Sequence, residues 1–374
     1  MLGAGERWGS SVIRRKYGAL ATAVAGALAL TACSSGSGKA EAEGKTAARP
    51  SASRTAAPPS TAAPAKQPII LAFGGDVHFE GNLRARLAQP STALGPIART
   101  LRAADLAMVN LETAITTGGT PAPGKEFTFR APASAFTALK AAGVDVTSMA
   151  NNHGMDFMEP GLRDSLQAIR RTKFPTVGIG RNADEAYRAH RVTVKGNRLA
   201  IVGATQVLDD HLIPQWTATD AKGGLASAKN VPRMVRAVRE ARKGSDLVIV
   251  HLHWGAELQP CPLPRQKELA KQLIDAGADV IVGGHAHIPL GGGFMEGKYV
   301  HYGLGNFVFS SANGQTANSG VLVLRAENGK ITAAKWKPAR ISAGLPRLMT
   351  GAAATAELKR YNGLRGCTGL SARP

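Results

Sequence analysis

Cysteine is scarce in this chain, three in 374 residues. That excludes a disulfide-framework mini-domain, which needs several bridges in place of a core. Aromatic residues are few, 5% of the total, and the basic residues are scattered. No stacking platform for nucleic-acid bases is visible. Apart from one apolar stretch near the N-terminus, no run of about 20 apolar residues occurs, which excludes a multi-span membrane protein. Acidic residues are outnumbered, 26 against 46 Lys and Arg, for a formal charge of +20. Three charges of that surplus fall in residues 1–32 and three in 33–68, leaving +14 on residues 69–374. What is plentiful is apolar side chain, 44%. That is enough to bury a core, in a length suited to one large domain or two modest ones.

Residues 14–33 read as a basic cluster followed by an apolar stretch of about 14 residues, short for a transmembrane helix. The stretch ends in Leu30-Thr31-Ala32-Cys33, which resembles a bacterial lipobox. The resemblance implies a signal peptide over 1–32, cleavage before Cys33 and a membrane lipid on its thiol. The chain would then be an exported lipoprotein on the outer face of the cytoplasmic membrane. The alternative is a plain secretory signal in which Cys33 is incidental. Residues 33–68 are rich in Ala, Ser, Pro, Gly, Thr and Lys. They offer too little apolar surface to offset chain entropy and read as a tether spanning roughly 30–35 Å. Two further cysteines, Cys261 and Cys367, remain, and in an exported protein a disulfide between them is sensible.

From Ile69 the pattern changes to one domain over 69–374. Apolar runs at 69–73, 106–109, 144–149, 176–179, 199–202, 247–252 and 280–282 predict buried strands. Segments 132–142, 160–171, 231–242 and 264–276 predict helices, several with Pro in the first turn. Alternation of the two predicts an α/β fold. Gly196-Asn197 and Asn328-Gly329 each sit between strand-like runs and predict hairpins. The sheet is therefore mixed, or there are two sheets.

Polar residues cluster where these strands end. Asp76 and His78 follow the first, Glu112 the second, and Asn151-Asn152-His153 with Asp156 the third. His251, His253 and Glu257 surround the end of the 247–252 run, and His285 and His287 follow Val282. The carboxyl edge of the strands is where open α/β sheets place their sites. Imidazole, carboxylate and amide oxygen together form a ligand set for Zn, Mn or Fe. Two such ions side by side suit phosphate ester hydrolysis.

The order Asp76-x-His78, Glu112, Asn152-His153, His253 and Gly284-His285-x-His287 resembles the calcineurin-like metallophosphoesterases. A closer resemblance is to the CapA family of poly-γ-glutamate capsule synthesis proteins within that superfamily. It is carried by Gly75-Asp76, Asn110-Leu111-Glu112, Phe129-Arg130-Ala131-Pro132, Asn151-Asn152-His153, His253-Trp254-Gly255-Ala256-Glu257, Gly284-His285-Ala286-His287 and Leu304-Gly305-Asn306-Phe307. The resemblance implies mixed β-sheets flanked by helices in a four-layer αββα sandwich. It implies two divalent ions held by Asp76, Glu112, Asn152, His253, His285 and His287, with His251 as an alternative to His253; His78 is either an extra ligand or points away and leaves one site incomplete. It implies His153 as the group that protonates a leaving group or steadies a phosphate; Asp156 either fixes its tautomer or caps the helix that follows, and Arg130 either grips the substrate or forms a surface ion pair. Glu257 would support a ligand histidine, Asn306 would line the site, and Trp254 would pack. Two departures stand out: Ala286 lies where many members have His-Pro, and His78 where an apolar residue is common. The functions implied are a metal-dependent hydrolase of phosphate esters or related bonds, or a metal-containing component that binds an anionic surface polymer such as poly-γ-glutamate. A solute-binding lipoprotein fits the lipobox and tether but leaves the histidines unexplained. The scattered basic residues argue against a nucleic-acid partner.

Overall fold

The computed structural model describes residues 65–374. The expected signal segment, Cys33 and the tether up to residue 64 lie outside the described residues. The principal elements are β1 (Ile69–Val77), β2 (Leu106–Leu111), α1 (Ser134–Ala141), β3 (Val146–Ser148), α2 (Met158–Thr172), β4 (Thr176–Val177), β5 (His190–Val194), β6 (Asn197–Thr205), α3 (Val231–Arg242), β7 (Leu247–His253), α4 (Pro264–Asp275), β8 (Val280–Gly284), β9 (Gly292–Met295), β10 (Lys298–His301), β11 (Asn306–Val308), β12 (Asn318–Glu327), β13 (Lys330–Ser342), β14 (Leu345–Leu348) and α5 (Gly351–Gly363).

There are two large sheets, with two two-stranded ladders beside them. The first, of eight strands, has the order β14-β13-β12-β1-β2-β3-β4, with β11 pairing alongside β1. The second, of six strands, has the order β9-β10-β8-β7-β6-β5. In each, a parallel centre (β1 to β4, and β6, β7, β8, β10) carries antiparallel partners at its flank. Period-2 alternation along the strands builds the layers. Leu71 and Phe73 of β1, Leu106 and Met108 of β2, Ile249 of β7 and Val280 and Val282 of β8 share one core between the sheets. Their neighbours face outward. Ala72, Ala107 and Val109 meet Phe136 and Leu139 of α1 and Leu162 of α2. Val248, Val250 and Ile281 meet Met234 and Val238 of α3 and Leu269 and Leu273 of α4. The result is helix, sheet, sheet, helix. Because both faces of each sheet are covered, these strands read as continuous apolar runs. Each fully buried Leu, Ile or Phe contributes about 1.5–3 kcal/mol from area alone.

One expected strand breaks. The run 176–179 splits at Gly178, whose φ is +87°, and Ile179–Gly180 leaves the main sheet to pair with Gly224–Leu225. A side chain at Gly178 would stand 2.4 Å from the Ala150 methyl, so the close approach of two backbones fixes the glycine there. No helix among the described residues is long and apolar enough to cross a membrane.

Cys261 and Cys367 form a disulfide with Cα atoms 5.7 Å apart and a sequence separation of 106. Lys267 Nζ donates to the Cys367 carbonyl at 2.7 Å. The bridge ties the segment after α5 to the loop following β7. Closing a loop of that length constrains the unfolded chain, and its removal costs about 2–5 kcal/mol. A Cys261→Ser/Cys367→Ser variant is therefore expected to melt several degrees lower than the oxidised protein. Identical melting of the two in calorimetry contradicts this.

Candidate metal centre

The carboxyl ends of the two parallel strand sets meet at one edge of the sandwich. Two glycines make this possible. A Cβ on Gly75 would lie 1.8 Å from the Gly305 carbonyl oxygen, and that oxygen accepts from the Asp76 N–H at 3.0 Å. The Leu304–Asn306 segment therefore passes directly over β1. A Cβ on Gly284 would lie 2.5 Å from Asp76 Oδ1, so β8 closes on the carboxylate only because position 284 is bare. The following turn places His285 at φ +90° and His287 at φ +57°. Left-handed backbone at two non-glycine residues in three is costly, on the order of 1–3 kcal/mol each, and it aims both imidazoles into the same cleft.

Hydrogen bonds then stitch the two sheets together. Asn110 Nδ2 donates to Asp76 Oδ1 at 2.9 Å and faces His253 Nδ1 at 3.2 Å. Asp76 Oδ2 accepts from the His285 N–H at 3.0 Å. Asn151 Nδ2 donates to Asn110 Oδ1 and to the Leu111 carbonyl, while its Oδ1 accepts from the His153 N–H. His253 Nε2 lies 2.8 Å from Asn152 Oδ1 and 3.4 Å from Glu112 Oε1. Asn306 Oδ1 lies 2.8 Å from His287 Nδ1 and orients that ring.

Three ligand sets emerge, each with one donor atom per residue within 4.8 Å of the others: Glu112, His253 and His285; Asp76, Glu112 and His287; Glu257, His285 and His287. Glu112 belongs to the first two. It is fully buried, and neither of its carboxylate oxygens has a hydrogen-bond partner, nor does His285 Nδ1. Buried polar atoms are rarely left orphaned. A carboxylate facing imidazoles with nothing donated to it is what a divalent cation would satisfy, and the mixed N and O donors fit Mn, Fe or Zn. The residues present therefore fit a metal.

Beside this cluster stands a second device. His153 Nδ1 lies 2.6 Å from Asp156 Oδ2, which also accepts from the Phe129 N–H at 2.6 Å. Lys125 Nζ donates to Asp156 Oδ1 at 2.6 Å and to the Asn152 carbonyl, and sits 4.9 Å above the Trp216 ring. The Phe129 ring is sandwiched between His153 and His78, at 4.0 and 4.6 Å. The Nδ1–H of His153 is thus committed to Asp156, leaving Nε2 toward the cluster, 4.0 Å from Glu112 Oε1.

The structure brings together Asp76, Glu112, Asn152, His153, Asp156, His253, His285, His287, Glu257 and Asn306. It does not bring in three residues the sequence pointed to. The ring nitrogens of His78 lie 3.0 and 3.3 Å from the N–H groups of Glu80 and Ser310, and His78 enters none of the ligand sets. Arg130 lies over the Phe157 ring at 4.8 Å, with its backbone held by Glu80 and Arg84. His251 is buried below His253, with neither ring nitrogen partnered and no place in a set. Lys125 was missed by sequence reasoning. It follows Pro121-Ala122-Pro123-Gly124 in an irregular loop, where no periodicity marks an inward side chain.

Burial dominates the protonation states. It pushes the Asp76 carboxyl up to about 6, with the Glu112 charge adding to it, and it raises Glu112 as well. Burial pushes Asp156 up to about 7 against the pull of Lys125. It lowers His253 to about 4 and holds His285 and His153 well below the usual imidazole range. For His287, burial opposes the cation, but Glu112, Asp76 and Asn306 outweigh it and raise the ring. Without metal, the Asp76 carboxyl keeps its proton up to about pH 6, whereas in the unfolded chain it would lose it near 4. This group therefore makes the metal-free fold less stable as pH rises across that window. Metal must displace the proton, so cation affinity is expected to fall as pH drops through 6, up to about tenfold per pH unit per proton. Calorimetric titration with Mn²⁺ at about pH 5.5 and about pH 7.5 checks this. Equal affinities contradict it.

The family model described as bacterial capsule synthesis protein PGA_cap matches residues 70–311, a span that includes every member of the three ligand sets. The capsule biosynthesis protein CapA of Bacillus anthracis is 32% identical over 218 residues, 58% of this chain and 52% of that protein. The PGA biosynthesis protein CapA of Bacillus subtilis (strain 168) is 33% identical over 193 residues, 49% and 47% of the two chains. The chain thus spans about half the length of these curated relatives. Among solved structures, a phosphatase of Mycoplasma pneumoniae aligns with a TM-score of 0.44 at 14% identity, over 78% of this chain and 98% of that one.

Proposed function

The chain belongs to the bacterial capsule synthesis protein family PGA_cap, and from that premise we propose that it is a metal-dependent hydrolase serving the synthesis or anchoring of an anionic cell-surface polymer. The observation that carries the reading is Glu112, shared by two ligand sets and orphaned at both oxygens. Glu112, His253 and His285 would hold one divalent ion, with Asn152 beside them, and Asp76, Glu112 and His287 a second. When bound, such ions supply positive charge that polarises a phosphoryl or carbonyl oxygen and offsets the charge developing on it. His153, resting neutral, can take a proton at Nε2 and return it to a leaving oxygen, while Asp156 holds its Nδ1–H. Lys125 and the Phe129 N–H hold Asp156 in turn.

The relatives' names, capsule and PGA biosynthesis, support polymer chemistry of the poly-γ-glutamate kind. So does the surplus of fourteen positive charges on residues 69–374. The reading includes acylation of Cys33 and an outward-facing location, supported by Leu30-Thr31-Ala32-Cys33. The test is turnover of a generic phosphodiester, such as bis-p-nitrophenyl phosphate, by the full chain with Mn²⁺. Activity removed by chelation and restored by the metal is expected. A fully metallated protein that turns over neither phosphate esters nor amide-linked polyglutamate contradicts the hydrolase reading and leaves a metal-containing binding protein.

A further inference from the structure

One flank of the molecule carries a feature that the centre does not use. A cavity of about 490 Å³ between α3 and the Tyr187–Arg191 segment is lined by five arginines against two carboxylates, Asp184 and Glu240. It shares Arg188 and Ala189 with a second cavity of about 310 Å³, which adds Arg170 and Arg181. The second shares Leu166 and Arg181 with a third, of about 810 Å³, that reaches Met155 and Trp216. Met155 lies two residues after His153, and Trp216 is the ring beneath Lys125 Nζ. The three depressions therefore abut, but the third is lined chiefly by apolar side chains, its Arg163 and Arg181 are paired with Glu159 and Glu185, and buried Met155 and Trp216 close it off from the centre.

The charges on this flank are largely unspent. Arg181 is paired with Glu185, and Arg233 with Asp184 and Asp220. Arg170, Arg188, Arg236 and Arg239 are exposed and make no ion pair among the described residues. Arg191 is held by the Glu240 and Lys243 carbonyls and Ser245 Oγ, contacts that fix its fork without neutralising it. Rigid or unpaired guanidinium forks match carboxylates bidentately. Between them the first cavity offers two small, half-buried apolar contacts, Ala189 and Ala237, against which methylene spacers can lie. Its aromatic ring, Tyr187, is 6% exposed and covered by the Arg233 guanidinium at 5.5 Å. No face is left for a nucleic-acid base to stack on.

We propose that the first two grooves form one track that binds a linear polycarboxylate. The binding does not rest on the reading of the centre given above. The test is binding of labelled poly-γ-glutamate to the full chain in detergent with a chelator present, so that metal contributes nothing. Four proteins are compared: wild type, Arg188→Glu/Arg236→Glu on the track, Arg347→Glu/Lys359→Glu elsewhere with the same charge change, and Glu112→Gln. Arg170→Glu/Arg239→Glu replaces the track pair if that pair fails to fold.

The track variant is expected to lose at least about tenfold in affinity relative to the off-track pair, and Glu112→Gln to bind as wild type. Equal losses in the two charge-reversed pairs reduce the effect to general attraction and overturn the proposal. So does absence of wild-type binding. Tighter binding of a polyphosphate of equal charge overturns the polycarboxylate assignment in favour of a phosphate chain or lipid headgroups. Loss of binding in Glu112→Gln alone places the polymer at the centre instead. If the track fails while wild type still loads metal, the centre stands. If metal loading fails while the track variant still loses affinity, the track stands.

Discussion

Glu112→Gln is expected to abolish loading of the centre while raising the melting temperature of the metal-free protein. The two effects have one cause. Both Glu112 oxygens are buried and unpartnered, and burial raises the carboxyl, so the fold carries a group it does not satisfy. An amide removes the charge, and with it a penalty on the order of 1–3 kcal/mol. The same change takes an anionic donor from both ligand sets that contain Glu112. Removing groups that only orient a ligand costs 10–100-fold in metal affinity, so loss of a shared ligand is expected to cost at least about 100-fold. Differential scanning fluorimetry with and without Mn²⁺ separates the two. Wild type is expected to gain stability with metal, and Glu112→Gln to start higher and gain nothing. A variant that melts lower without metal and still responds to it contradicts the account.

His153→Asn is expected to do the opposite, with metal content retained and turnover lost. His153 is in none of the three ligand sets, and its Nδ1 is committed to Asp156 at 2.6 Å. Its contribution is proton transfer at Nε2, worth about 10²–10⁴-fold in kcat for a positioned acid or base. Asp156→Asn should reproduce part of the loss by releasing the tautomer. Phosphodiesterase assays paired with metal analysis on the same preparations read both quantities. Unchanged kcat in metal-replete His153→Asn removes the residue from the mechanism.

Most of the centre was legible because strand ends are legible. Buried apolar runs such as 247–252 and 280–282 declare where a parallel strand stops, and polar residues just beyond them share one edge of the sheet. Asp76, Glu112, Asn152, His253, His285 and His287 were singled out that way together with the family pattern, and the fold gathers their side chains in one cluster. The rest depends on side-chain direction beyond the strand. His78 follows β1 by one residue, but the turn at Glu80 draws its Nδ1 onto the backbone. Arg130 is directed onto Phe157. Lys125 reaches the centre from an irregular loop, so only tertiary structure shows it beside Asp156. The split of the 176–179 run at Gly178 is likewise a packing event, set by Ala150. The two-sheet arrangement needed strand pairing, since each apolar run alone fits either sheet.

Metal content per chain, measured by elemental analysis on wild type, Glu112→Gln and His285→Ala prepared alike, decides whether the cluster holds two ions that share Glu112. Two divalent ions are expected in wild type and fewer than one in Glu112→Gln, because that carboxylate serves two of the ligand sets, with an intermediate value for His285→Ala. Wild type that binds no divalent ion at any accessible pH, or a Glu112→Gln protein that binds as many as wild type, contradicts this.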